Sequence, residues 1–538
     1  MTLNVEKYEV THFSKWTKEA TWPPTVKLLS QNLSYAEFPT FLGVTFDRQL
    51  TFRQHVGRIK QKAAKRINTL RCLAGKSWGS EKEDLRLVYL TYIRSAISYA
   101  YNAWYPWVSK ENREKLEVTQ RDAARTITGC TKNTNSKLLI NEAGLVPLYI
   151  ESDIAQATAY ERCLRLPCDD PLREIAENPV RRRLKSLGTW RETGKSSAED
   201  SVEDLPRECL IPVPDIPPWM IPDTFSCSPS LMTSVSKTDP PEAQKAAVEE
   251  TMKYLAKPDI EIYIDGSAMD GTDYVGGGIS IRYPNGEKES MSIAAGRHGS
   301  SFRAEAMALT TALRWLDERK KCRNLLILTD SQALVRKLEG GAEKSISELE
   351  NETWRLIYRV ARRDNTRLHI HWIPGHCGVH GNDEADLLAN QGQMLDQFDT
   401  AIDFASAKNV FRKPVLKTVW AHQNVRESQP TGIRPLPRRD KESGLTRRER
   451  VVLAQLRCNE KSPILQQYLY SSGAADSEAC LTCGASPDNL DHVLKDYPTG
   501  APYRDSLPEN PRDALWTDPV RVVEFLRTCN RVPVALIV

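Results

Sequence analysis

At 538 residues the chain has room for three or four compact units of about 150 residues each. Its 27% charged and 40% hydrophobic residues are a globular balance, which excludes wholesale disorder, collagen-like repeats and a disulfide-stapled miniprotein. With 74 basic against 70 acidic side chains, the net charge of +4 does not decide for or against nucleic acid, so placement must. No window approaches the length of uncharged apolar sequence that a membrane span needs, and the acidic N-terminal segment MTLNVEKYEVTHF lacks a signal-peptide core. Twelve scattered cysteines point to a reducing, intracellular compartment.

In chain order, the first fifty residues read as the end of a β-rich unit, with Phe41 to Phe46 as a short strand closed by Asp47-Arg48. Val56, Ile59, Ala63, Ile67 and Leu70 then recur at helical spacing. Arg58, Lys60, Lys62, Lys65, Arg66 and Arg71 occupy the other faces of that helix. Such a face is either solvated surface or, since it carries a single sign of charge, phosphate-facing. Ser80 and Glu83 have capping-box spacing before a helix expected over Leu85 to Ala100. The aromatic run Tyr99, Tyr101, Trp104, Tyr105, Trp107 reads as core rather than as a stacking platform. Nine prolines between Gly194 and Gln244 forbid long helices and central strands, so a connector is expected there. Ala401 to Arg450 reads as a second connector, basic at Arg434, Arg438, Arg439, Arg447, Arg448 and Arg450.

The segment between the connectors is periodic. Ile260, Ile262 and Ile264 alternate with Glu261, Tyr263 and Asp265, a strand that ends in an acid. Val275 to Ile281 and Glu289 to Ile293 supply two more strands around the turn Pro284-Asn285-Gly286. A helix over Ser301 to Arg319 carries the stripe Leu309, Ala312, Leu313, Leu316, and one turn before Leu309 stands Glu305. A carboxylate heading a core-facing stripe is costly unless it meets a cation or a donor. The apolar run Leu325 to Leu328 suits a strand covered on both faces. It ends at Asp330, where open α/β sheets bind ligands, although Asp330 also reads as the N-cap of the next helix. After a helix from Ile346 to Arg363 and a strand from Leu368 to Ile373, the loop Pro374-Gly375-His376-Cys377-Gly378 carries His376. The last helix starts near Asn382; Asp383 and Glu384 suit its first turn, whereas Asp386 sits deeper. Acids from two strand ends and two helices can form one cluster, and like-charge repulsion then demands cations. An all-oxygen donor set favours Mg²⁺ or Mn²⁺ over zinc. Two such ions roughly 4 Å apart clamp the attacking and leaving oxygens of a phosphoryl displacement.

The strings IDGSA (264–268), RAEAMAL (303–309), LTDSQALV (328–335) and PGHCGVHGNDEADLLA (374–389) resemble a type 1 ribonuclease H domain. The resemblance implies an α/β ribonuclease H-like fold over 258–398, a mixed five-stranded sheet with flanking helices. It places four catalytic, metal-holding carboxylates on Asp265, Glu305, Asp330 and Asp386, and the loop histidine on His376. Ser267, Ser301, Gln332 and Asn382 would face the substrate's sugars and bases. The implied activity is two-metal hydrolysis of the RNA strand of an RNA–DNA hybrid, read by shape and 2′-hydroxyls, without a small-molecule cofactor. Where the family often has paired asparagines this chain has Ser301-Phe302, and Gly340-Gly341 stands where some members carry a basic helical handle.

LNVEKYEVTHFS (3–14), FLGVTFDRQLTF (41–52) and the basic helix look like the palm end and thumb of a non-LTR retrotransposon reverse transcriptase of the ingi/jockey/I-like kind. The expected layout is a palm remnant at 1–52, an α-rich thumb or connection at 53–165, a Pro-rich linker at 166–257 and the ribonuclease H domain at 258–398. A basic linker at 399–445 and a small Cys/His module at 446–538 follow. On this reading the chain is a truncated polyprotein whose polymerase carboxylates lie upstream. Its basic segments add contacts to RNA and DNA, in the nucleus or cytoplasm. Cys480, Cys483 and His492 have the spacing of a structural zinc site. The family's fourth ligand is a cysteine where this chain has Tyr497, which leaves Asp491, Asp496 or Cys458 as substitutes. One alternative is a catalytically idle nucleic-acid-binding remnant, against which the surviving carboxylates and His376 speak. A related transposase or integrase would lack the Gly-His loop before the last acid.

Overall fold

The computed structural model describes residues 7–14, 16–178, 190–199, 206–210, 214–236, 239–269, 273–319, 322–363, 366–397, 401–410, 412, 442–458, 460–507 and 512–532. Arg434, Arg438 and Arg439 of the expected basic connector lie outside the described residues. The chain divides into two compact units, one of Ala157–Arg183 and Arg191–Lys413, the other of Met1–Gln156, Leu184–Trp190 and Pro414–Val538.

The first unit is built on a mixed sheet of β1 (Phe225–Ser228), β2 (Ile260–Met269), β3 (Asp273–Arg282), β4 (Lys288–Gly296), β5 (Asn324–Thr329) and β6 (Arg367–Trp372). Its order is β4-β3-β2-β5-β6-β1. β2, β3 and β4 form an antiparallel meander, and β5, β6 and β1 run parallel to β2. The helices are α1 (Pro241–Tyr254), α2 (Ser301–Glu318), α3 (Gln332–Glu339), α4 (Glu348–Arg362) and α5 (His380–Gln393). Strand alternation decides the two faces. Ile260, Ile262 and Ile264 of β2 and Leu325 and Ile327 of β5 pack with α2, α3 and α4. Tyr263, Leu326 and Leu328 face Val248 of α1 and Ala385 of α5. β5 is therefore covered on both sides, as its apolar run requires, and each such side chain contributes about 1.5–3 kcal/mol on burial.

The sheet has six strands rather than the expected five, and the extra strand arises from the segment read as a connector. β1 pairs only with β6, Phe225 opposite Leu368, so the flanking Pro222 and Pro229 remove no ladder hydrogen bond. α1 begins with Pro241 at its first position, where a missing N–H costs nothing. These prolines punctuate elements instead of forbidding them. In the second expected connector, residues 404–410 are helical, and Arg447–Arg457 is a helix whose Glu449 accepts from the Thr446 N–H at 2.8 Å.

In the other unit the helix Arg53–Leu73 buries Val56, Ile59, Ala63, Ile67 and Leu70, as its periodicity requires, and leaves Lys60, Lys62 and Lys65 exposed. Tyr101, Trp104 and Tyr105 are buried against one another, whereas Tyr99 is half exposed. The expected strand Phe41 to Phe46 is a hairpin instead. Thr40–Phe41 pairs with Val44–Thr45, and the turn Leu42-Gly43 takes positive φ of 45° and 82°. The Ser80/Glu83 capping box does not form. The helix starts at Lys82, turns into a π-helix over Tyr89–Arg94 and ends at Ile97. Lys82 is drawn inward instead, its Nζ 3.0 Å from Glu142. Arg457 joins that buried cluster, 3.4 Å from Glu142 and 2.6 Å from Glu442. Arg447 donates to the carbonyls of Ile127 at 2.7 Å and Thr126 at 2.9 Å, and Gln455 to that of Gly129 at 2.9 Å. Of the expected bodies at 53–165 and 446–538, residues 53–156 and 446–538 fall in one compact unit, and 157–165 in the other.

α5 lies unusually close to the sheet. A Cβ at Gly278 would stand 2.0 Å from the Ala385 carbonyl oxygen, and Gly278 is the register partner of Asp265. Gly278→Ala is expected to destabilise its unit by about 2 kcal/mol or more, because neither backbone can yield locally. Gly57→Ala, at an open position in the second turn of the helix Arg53–Leu73, has the opposite sign, a gain of about 0.5–1 kcal/mol. Denaturant titration of both variants checks the pair.

Candidate metal centre

Asp265 and Asp330 lie on adjacent parallel strands; β2 does not end at Asp265 as expected but runs on to Met269, whereas Asp330 directly follows the end of β5. Ile264 is in register with Thr329, so the next residue of each strand projects into the same crevice. Glu305 reaches them from the first turns of α2, which can approach because Gly266 has no side chain: a Cβ there would lie 2.4 Å from the Glu305 nitrogen. One carboxylate oxygen from each of Asp265, Glu305 and Asp330 falls within 4.8 Å of the others. The cluster is built of oxygen donors only, which suits a hard divalent cation. No lysine or arginine pairs with these three groups among the described residues.

Their titration records the crowding. Burial, and then the charge of Asp330, pushes the Asp265 carboxyl up to about 8. Burial pushes Glu305 up to about 7, against a hydrogen bond from the Ser331 hydroxyl. Asp330 is raised by burial too, partly offset by the positive influence of His376 and a hydrogen bond from Asp265. Asp330 does not cap the following helix. Ser331 does, its hydroxyl accepting from the Leu334 N–H at 3.3 Å.

Asp386 lies on α5 at the margin of the cluster, half-buried, where its charge raises both Asp265 and Asp330. Its Oδ1 accepts from Asn390 at 3.3 Å. His376 is exposed at the tip of the loop with φ of 54°. The loop packs directly on Asp330, since a Cβ at Gly375 would lie 2.4 Å from Asp330 Oδ2. Of the four residues expected to face substrate, only Ser301 is exposed. The Gln332 amide donates to the Pro229 carbonyl at 2.8 Å, and Ser267 donates to Asn390 at 2.8 Å and accepts from Gln393. Asn382 is 2% exposed. Three residues that motif reading does not single out support the cluster. Ser331 bonds Glu305, Gly375 admits the loop, and Trp372 donates from Nε1 to the Asp330 carbonyl at 3.1 Å. A serine directly after a strand-end acid was the one available signal for the first of them.

In the other unit Cys480, Cys483 and His492 present their ligand atoms within 4.8 Å of one another. Cys483 Sγ is 3.5 Å from His492 Nε2. Backbone N–H groups of Cys483 and Thr482 hold the Cys480 thiol down at about 7 despite its burial. Tyr497 is buried edge-on to His492, its hydroxyl 2.9 Å from that of Thr482. Cys458 lies in the core of the helical segment, and Asp491 is paired with Arg512 at 2.6 Å. The Asp488 carboxylate, which spacing did not select, comes within 3.7 Å of His492 Nε2 and is held by Arg531 at 2.8 Å.

The RNase H family model matches residues 257–394. The chain is 30% identical over 145 residues to a ribonuclease H of Legionella pneumophila (strain Corby), covering 25% of this chain and 95% of that protein. It is 29% identical over 140 residues to a ribonuclease H of Campylobacter jejuni, covering 25% of this chain and 91% of that protein. It is also 26% identical over 137 residues to a retrovirus-related Pol polyprotein from the type-1 retrotransposable element R1 4 of Nasonia vitripennis, covering 26% of this chain and 35% of the polyprotein.

Carboxyls held above their unfolded values bind protons more tightly in the fold. The stability they contribute is complete below about pH 4 and is lost as pH rises through about 7 to 8. Without divalent ions the melting temperature of the sheet-containing unit is therefore expected to fall between pH 5 and pH 8. Asp330→Asn removes one of the repelling charges, so it flattens that fall and stabilises the unit at pH 8 by about 1 kcal/mol or more. Melts of both proteins in chelator check this; parallel pH profiles would remove the electrostatic account.

Proposed function

Because the chain belongs to the ribonuclease H family, we propose that its sheet-containing unit hydrolyses the RNA strand of RNA–DNA hybrids with Mg²⁺ or Mn²⁺. The observation that carries the reading is the cluster of Asp265, Glu305 and Asp330, one buried and two half-buried carboxylates with raised affinity for protons and no lysine or arginine partner among the described residues. Such a cluster stores repulsion that a divalent cation relieves. We assign the three carboxylates, with Asp386 at the margin, to holding two ions. When bound, the ions supply Lewis-acid stabilisation of the charge that builds on the scissile phosphate.

The protein's own groups do the rest. Gly266 and Gly278 let α2 and α5 bring their acids to the middle of β2 and the end of β5. Trp372 holds the Asp330 backbone carbonyl, and Ser331 holds the Glu305 carboxylate. His376, exposed beside Asp330, is placed to take or deliver a proton at a leaving oxygen. Ser301 at the start of α2 is accessible to a sugar or base; in this conformation Gln332 and Ser267 are engaged within the protein. The similarity to a retrotransposon Pol polyprotein supports a mobile-element origin, with the basic helix Arg53–Leu73 adding sequence-independent affinity for RNA and DNA. We assign Cys480, Cys483 and His492 to zinc, for which two thiol groups and an imidazole are suitable donors.

Purified full-length chain is expected to cut the RNA of a labelled RNA–DNA hybrid in Mg²⁺ and to leave RNA–RNA and DNA–DNA duplexes intact. Asp330→Asn should lower the rate roughly a thousandfold while the fold persists. Near-normal cleavage by that folded variant would overturn the assignment of the cluster. A separate expectation concerns zinc: competition with a chromophoric chelator should give weak binding by the natural chain, strengthened about tenfold or more by Tyr497→Cys, since a phenol ionises only near pH 10.

A further inference from the structure

Two residues before Glu305 on α2 stands Arg303, about 200° away around the helix axis and so on the face opposite the carboxylate cluster. Its side chain is 11% exposed and its guanidinium has three oxygen acceptors. Nη1 lies 2.9 Å from Glu208 and 2.9 Å from Asp403, and Nη2 donates to the Ala401 carbonyl at 2.9 Å. All three acceptors lie outside residues 257–394, one ahead of that region and two after it.

These outer segments are themselves joined into one belt. The backbone at 206–208 pairs with Ile402, the Glu208 N–H donating to the Ile402 carbonyl at 3.1 Å and the Ile402 N–H to that of Pro206 at 2.8 Å. Arg165, paired with the buried Glu161 at 2.8 Å, donates to the carbonyls of Glu208 and Ile402. Glu208 also turns its second oxygen to the Leu349 N–H at 3.2 Å, which ties in the start of α4. Arg303 is therefore the polar link between the belt and the first turn of α2 among the described residues, with both pairs largely shielded from water.

We propose that Arg303 is a positioning residue for the carboxylate cluster, and that the segments on both sides of the family-matching region act through it to set where Glu305 stands. The inference rests on the metal-dependent reading above. Glu305 reaches the cluster over Gly266 with no slack, so a small displacement of the helix start moves a ligand carboxylate directly. Misplacement of about 1 Å at such a group costs on the order of a hundredfold in rate.

The test uses the full-length chain and two readouts. Mn²⁺ affinity, by the loss of free-ion magnetic resonance signal, does not require cleavage; kcat and KM on a labelled hybrid do. Arg303→Met is expected to weaken Mn²⁺ binding about tenfold or more and to lower kcat while KM for the hybrid stays within about twofold. Arg303→Lys, which keeps one carboxylate pairing, should recover part of both. Glu208→Gln combined with Asp403→Asn should reproduce the methionine variant from the other side. If Arg303→Met fails to fold, the single variants Glu208→Gln and Asp403→Asn decide, each expected to give an intermediate loss of Mn²⁺ affinity. Natural-level Mn²⁺ affinity in the folded variants would overturn the proposal, as would a change confined to KM. An inactive natural chain whose Mn²⁺ affinity still drops in Arg303→Met would refute the hybrid-cleaving function and leave the positioning role standing.

Discussion

Mutual repulsion among Asp265, Glu305 and Asp330 is the constraint that the sheet-containing unit is arranged around. Three carboxylates within 4.8 Å of one another in partly buried surroundings oppose folding unless protons or cations join them. The fold nonetheless brings them together from three elements. It does so by removing side chains where the approach is closest, at Gly266 beneath α2, at Gly278 beneath α5 and at Gly375 against Asp330. Each glycine exchanges conformational restraint for proximity, and proximity of like charges has value only if a cation is to be held.

Asp265 and Asp330 were legible because alternation along β2 leads to the one and the apolar run of β5 ends at the other, although β2 itself continues past Asp265 to Met269. Glu305 was legible as an anomaly, a charge in line with the buried stripe of α2. The retained engagement of Gln332 was not legible, because its partner Pro229 belongs to a segment whose prolines conceal a strand and a helix. Periodicity reports which face of an element is buried; it carries no information on which distant segment covers that face. The same limit explains the failed capping box. Ser80 and Glu83 satisfy a local pattern, but Lys82 is claimed by Glu142, sixty positions away, and the helix start follows the lysine.

The flanking sequences belong to the two units in a way that linear domain boundaries do not capture. Segments on either side of the family-matching region close into a belt around Arg303, and the chain's C-terminal part completes the body begun by its N-terminal helices. Cutting at the ends of the matched region would therefore remove all three oxygen acceptors that hold Arg303.

Charge balance separates the structural clusters of this protein from the functional one. In the unit without the six-stranded sheet, Lys82 and Arg457 face Glu142 and Glu442, two cations against two anions. Around the belt, Arg165, Arg207 and Arg303 face Glu161, Glu208 and Asp403, three against three. Both sets sum to zero, as groups removed from water must if nothing else joins them. Asp265, Glu305 and Asp330 are half to fully buried as well, yet their set sums to minus three when ionised, with Asp386 adding a fourth negative charge nearby. The unit contains enough arginine to neutralise such a site and uses it elsewhere, on the opposite side of the same helix. An uncompensated charge beside compensated ones, within one fold and under one solvent, is the feature that a divalent cation explains and that helix capping or surface solvation does not.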